Sequence, residues 1–193
     1  MKKIAKIVSV LFIIGGSVLI FGKSDWFPEF YNPIFMGLMG FVSAFLVVSS
    51  RFFLKPKNQQ QEKVLDMIQT GIVFGLVFSA LGALGLFQLY KVGIQYDKIL
   101  HFLNSFILTA IVIRSYEGWH GFGFEKSLSF SVMIVFSGGV VWEMYEFLGD
   151  TLIGTQMLGH YGQLAARDTI WDMIMNWSGI ILAVTGMKIL KKK

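Results

Sequence analysis

Six apolar stretches divide the chain: Ile4–Gly22, Ile34–Ser50, Met67–Tyr90, Asp97–Ile113, Ser127–Leu148 and Thr169–Lys188. Each is close to the roughly 20 residues an α-helix needs to cross the hydrocarbon of a bilayer. They take up so much of the 193 residues that no separate soluble domain fits. The expected fold is all-α, a polytopic membrane helix bundle of about six transmembrane helices forming a single transmembrane domain over 1–193. Composition agrees, with 54% hydrophobic and 15% charged residues against about 25% charged in soluble domains. The first stretch opens Met-Lys-Lys and so imitates a signal peptide. Its apolar run is long, however, and Gly22-Lys23-Ser24-Asp25 offers no small-x-small cleavage site. It reads as a retained helix, with Lys6 snorkelling to the headgroups.

The basic residues set the expected orientation, because cytoplasmic loops are enriched in Lys and Arg. With the N-terminus inside, the cytoplasm receives Lys2, Lys3, Lys6, Arg51, Lys55, Lys57, Lys63, Arg114, Lys126, Lys188, Lys191, Lys192 and Lys193. The other side receives only Lys23, Lys91, Lys98 and Arg167. Both termini are therefore expected in the cytoplasm of a bacterial plasma (inner) membrane. The net charge of +5 never gathers into a basic face, so no nucleic-acid partner is expected. The absence of Cys removes disulfides, thiolate catalysis and zinc ribbons. In the third stretch Gly71, Gly75, Ser79 and Ala83 form a small-residue stripe, a packing device in lipid.

Acids distribute the other way. Glu62, Asp66, Glu117 and Glu125 fall inside, whereas Asp25, Glu29, Asp97, Glu143, Glu146, Asp150, Asp168 and Asp172 fall outside. Six of the latter lie in the last three stretches or within two residues of their ends, at helical spacing. Asp97, His101 and Asn104 are i, i+4, i+7; Glu143, Glu146 and Asp150 are i, i+3, i+7; Asp168, Asp172 and Asn176 are i, i+4, i+8. Each set shares one helix face, and alternating helix direction brings all three to one level. With a rise of about 1.5 Å per residue, His101 and Asp172 fall roughly one turn below the interface and Glu143 about 8 Å from its helix end. The expectation is a shallow outward-facing vestibule.

Intramembrane acids are costly and mark function by default. Lys98, Arg167 and Lys91 are too few to neutralise six of them, so either protons are shared or a divalent cation binds. Oxygen ligands with one imidazole suit Mg²⁺, Mn²⁺ or Ca²⁺, and Zn²⁺ if His101 ligates directly. The expected metal ligands are His101, Glu143, Glu146 and Asp172, with Asp97 orienting the imidazole. Glu143 and Glu146 are the candidate catalytic residues, and Asp97, Asn104, Asp150, Asp168 and Asn176 the binding or orienting ones. Blander roles compete. Asp97 and Asp168 stand where acids cap helices, Asn104 and Asn176 suit interhelical hydrogen bonds, and His101 suits packing. The loop Gly149–Arg167 is long enough for a lid or a linker, with His160 read as a solvated surface residue. No phosphate loop or nucleophile elbow is present, and neither Ser105 nor Ser178 has a neighbouring base.

Three motifs carry a family resemblance: Tyr96-Asp97-Lys98-x-x-His101-Phe102, Glu143-x-x-Glu146, and Asp168-Thr169-x-Trp171-Asp172-Met173. With Gly149-Asp150 and Gly154-Thr155-Gln156 they resemble the YjdF-like inner-membrane proteins. Asp172-x-x-x-Asn176-x-x-Gly179 resembles the last-helix signature of the wider VanZ-like group. The resemblance covers about 96–179, with Met157–Arg167 intervening where the family runs almost directly into its final acidic motif. VanZ-like members are associated with resistance to teicoplanin, a glycopeptide acting at the cell envelope, so the resemblance implies an outer-surface role. The expected function is thus a carboxylate/His site acting on a lipid-linked or cell-wall substrate. The alternatives are a proton- or cation-coupled transporter and a structural membrane protein.

Overall fold

The computed structural model describes residues 1–23, 32–155, 157 and 164–191. Six α-helices follow one another: α1 (Lys2–Phe21), α2 (Pro33–Phe53), α3 (Gln59–Ala83), α4 (Tyr96–His120), α5 (Phe124–Ile153) and α6 (Ala165–Lys191). A 3-10 helix, Leu86–Val92, lies between α3 and α4. All six α-helices are long and apolar enough to cross a membrane, and no strand occurs among the described residues. Asp25, Glu29, Gln156 and the loop residues His160 and Tyr161 lie outside them.

Chain ends of the helices follow local chemistry. Asn32 caps α2, its side-chain oxygen accepting from Phe35 N at 3.0 Å, with Pro33 in the first turn where no N–H is needed. The third apolar stretch was expected to run unbroken to Tyr90, but α3 stops at Ala83. Gly85 there adopts φ +134°, and the Phe87 ring folds back over Gly82, where a Cβ would lie 2.5 Å from Cζ. A backbone that only glycine adopts readily thus ends a helix that hydropathy alone would continue.

Contacts divide the chain into two units, Met1–Phe78 and Ser79–Lys193. In the first, α1 and α2 pair closely. A Cβ on Gly16 would lie 2.7 Å from Gly37 O, and one on Gly40 3.1 Å from Phe12 O, so these glycines let the two backbones touch. Gly71 and Gly75 of the small-residue stripe are only half-buried. Arg51 closes one end of this unit, donating to Gln69 Oε1 and Glu62 Oε1 at 2.8 Å each and also to Asp66. Gln69 in turn donates to Val47 O at 3.2 Å.

The second unit packs α4 against α6 and α5, and its burial pattern is inverted relative to a soluble protein. On α5 the buried positions include Ser127, Ser131, Glu143 and Glu146, while Val141, Met144 and Phe147 are more than half exposed. Polar groups meet one another inside and apolar side chains face outward, which suits a solvent of lipid tails. Ser131 Oγ donates to Thr109 O at 3.1 Å, and Thr109 Oγ1 to Ser105 O at 2.7 Å, forming a polar seam between α4 and α5.

Candidate functional site

Where α4 and α6 begin and α5 approaches its end, the three acidic faces meet around His101. The imidazole is 8% exposed and has carboxylates on both sides. Its Nε2 lies 3.6 Å from Asp97 Oδ1 and 3.5 Å from Asp172 Oδ1, while Nδ1 lies 3.8 Å from Glu143 Oε1. Helical spacing explains the convergence: Asp97 and His101 are one turn apart on α4, Asp168 and Asp172 one turn apart on α6, and Glu143 and Glu146 adjacent on one face of α5.

Lys98 alters the electrostatics expected from the sequence. Its Nζ bonds Asp168 Oδ1 at 2.5 Å, Asp172 Oδ2 at 2.7 Å and Asp97 Oδ2 at 3.2 Å. One ammonium carries three N–H donors, so a single lysine serves three carboxylates that a count of charges leaves uncompensated. Lys91 instead bonds Gln88 at 3.0 Å, and Arg167 is exposed. On the α5 side Glu146 Oε1 accepts from Trp142 Nε1 at 2.7 Å. Both oxygens of Glu143 and Oδ1 of Asp172 are buried with no hydrogen-bond partner among the described residues.

The four expected metal ligands do not form one set. His101 belongs to two groups whose candidate ligand atoms lie within 4.8 Å of one another, one with Glu143 and Glu146, the other with Asp97 and Asp172. Asp172 is separated from the glutamates because α6 presents it to Lys98 and to the far nitrogen of the imidazole. The cluster also lies deeper along α5 than expected. That helix runs to Ile153, so Glu143 stands ten residues, about 15 Å, from its end rather than about 8 Å.

Other expected site residues are placed differently. Asp150 Oδ1 accepts from Thr155 Oγ1 at 2.6 Å and from Met157 N at 2.8 Å, tying the end of α5 to the segment that follows. Gly154, with φ +72°, makes that turn, and a Cβ on Gly149 would lie 2.7 Å from the buried Thr155 Oγ1. The Gly-Asp and Gly-Thr pairs of the sequence motif therefore lock a helix end. Asn176 Oδ1 accepts from Ser105 Oγ at 2.7 Å, an interhelical bond between α6 and α4. Gly139 on α5 makes room for it, since a Cβ there would lie 2.9 Å from Asn176 Nδ2. The α4 donor is Ser105, one position beyond the half-buried Asn104. At the level of sequence Ser105 is weighed only as a nucleophile, and Trp142 is not singled out. The signal for both was i+4 spacing, Ser105 from His101 and Trp142 to Glu146.

Six membrane-length helices, apolar outside and carrying a buried carboxylate–histidine–lysine cluster, define a polytopic α-helical membrane protein with an ionisable site inside its helix packing. The chain belongs to the family described as "Predicted membrane protein (DUF2238)", whose model matches residues 8–193. No curated protein and no solved structure matches it.

Proposed function

We propose that the chain is a bacterial inner-membrane protein that binds a divalent cation at His101, Glu143 and Glu146 and acts on a lipid-linked or cell-wall component from the outer face. The observation that carries this reading is Glu143. A buried carboxylate with neither oxygen in a regular hydrogen bond to a described residue costs several kcal/mol if left bare and charged; the Thr169 hydroxyl is a neighbour, and His101 Nδ1 stands 3.8 Å away. A cation between Glu143, Glu146 and that nitrogen removes the cost. Asp97 and Asp172 are then placed to hold the other ring nitrogen, the usual support of a metal-bound histidine.

Orientation rests on the distribution of Lys and Arg along the sequence, and the envelope substrate on the YjdF-like and VanZ-like resemblance of residues 96–179. A divalent ion there would supply a Lewis acid for a phosphoryl or carbonyl oxygen and for a bound water. A carboxylate oxygen of Glu143 or Glu146 that does not ligate it would be the candidate general base. A second reading, proton- or cation-coupled transport, draws on the carboxylates that flank both nitrogens of His101 within 3.8 Å.

Chelation tests the metal reading. In detergent, a chelator is expected to lower the melting temperature by about 5 °C or more, the size of a site held well above its dissociation constant. Added Mn²⁺ or Zn²⁺ restores it. A melting temperature indifferent to both treatments overturns the metal reading and leaves the transport reading.

A further inference from the structure

We propose that the cluster is built for two cations and that the protein supplies one of them: the Lys98 ammonium fills the place formed by Asp97, Asp168 and Asp172, leaving one divalent ion to His101, Glu143 and Glu146. This rests on the divalent-cation reading above and specifies its stoichiometry and ligands.

The first half follows from the bonds around Nζ. Asp97 comes from α4 and Asp168 and Asp172 from α6, and all three place an oxygen within 3.2 Å of one nitrogen. Three carboxylates converging on a point are an oxygen-only set of the kind that holds Mg²⁺, Mn²⁺ or Ca²⁺. Here the point is occupied, and the lysine side chain is only 11% exposed. With its three N–H groups each directed to a different acid, Lys98 leaves no space there for an ion.

The second half follows from His101 and Glu143. A neutral imidazole offers a lone pair at one nitrogen only. Nε2 faces oxygens of both Asp97 and Asp172 and is the N–H side. The lone pair at Nδ1 then faces Glu143, whose two oxygens are buried without hydrogen-bond partners among the described residues. An imidazole lone pair facing two buried carboxylate oxygens that make no regular hydrogen bond is a place a cation would fill, and Glu146 completes it. His101 Nδ1, Glu143 and Glu146 would therefore hold the divalent ion on the α5 side of the ring, away from the acids that Lys98 serves.

Manganese content and electron paramagnetic resonance of three proteins in detergent test this: wild type, Lys98→Ala, and Lys98→Ala with Asp168→Asn. The wild type is expected to hold one Mn²⁺ per chain with the six-line spectrum of an isolated ion. Lys98→Ala opens the vacated acid triad and is expected to hold two, with the broadened spectrum of neighbouring ions. The double variant keeps the summed charge of the triad and residue 98 at its wild-type value, so it carries the test where the single variant does not fold, and it too is expected to hold two. A folded variant that still binds one ion overturns the proposal, as does a wild type that binds two. A wild type that binds none removes the divalent-cation reading itself.

Discussion

Glu143→Gln is expected to reduce divalent-ion affinity by at least about 100-fold, more than loss of a residue that merely supports a ligand would. Isothermal titration of Mn²⁺ into the detergent-solubilised variant measures it. The fold should survive, because glutamine keeps the shape and removes a buried charge that nothing among the described residues neutralises by hydrogen bonding. In the presence of chelator the variant should therefore melt no lower than the chelated wild type. That combination separates a ligand from a packing residue. A structural Glu143 would lose stability with or without metal, and unchanged Mn²⁺ binding would remove it from the site.

Gly179→Leu is expected to have the largest effect on stability. Gly179 sits where α6 crosses α4, and a Cβ there would collide with Phe102 O and lie 2.9 Å from Phe106 N. These are backbone atoms of a neighbouring helix, so the helices must separate rather than a side chain turn aside. Overpacking of this kind costs about 3 kcal/mol. The same crossing carries the bonds from Lys98 to Asp168 and Asp172 and from Ser105 to Asn176, so metal binding should fall with stability. Thermal unfolding in detergent checks it, and a variant melting with the wild type would mean that α4 and α6 do not meet at this glycine.

Much of the site was legible because helix geometry is periodic. Spacings of three and four residues were enough to bring Asp97, His101, Glu143 and Asp172 to one place. Lys98 was visible but undervalued, because counting charges treats one ammonium as balancing one acid, whereas its three donors reach three. The division of the ligands into two groups was not legible, since it depends on which ring nitrogen of His101 each helix faces. Helix lengths were misjudged for local reasons. Hydropathy runs past Ala83 although Gly85 breaks the helix, and it fades before Ile153 although Asp150, Gly154 and Thr155 hold α5 together to that point. Asn176 took the blander of its two roles, bonding Ser105 across the α4–α6 interface.

The central claim is that Glu143, Glu146 and His101 hold a divalent ion. Elemental analysis of wild-type protein, purified without chelator, equilibrated with Mn²⁺ and desalted, tests it most directly. About one tightly held equivalent per chain is expected, as for a site that combines imidazole with carboxylates. Protein that emerges from desalting free of metal would contradict it.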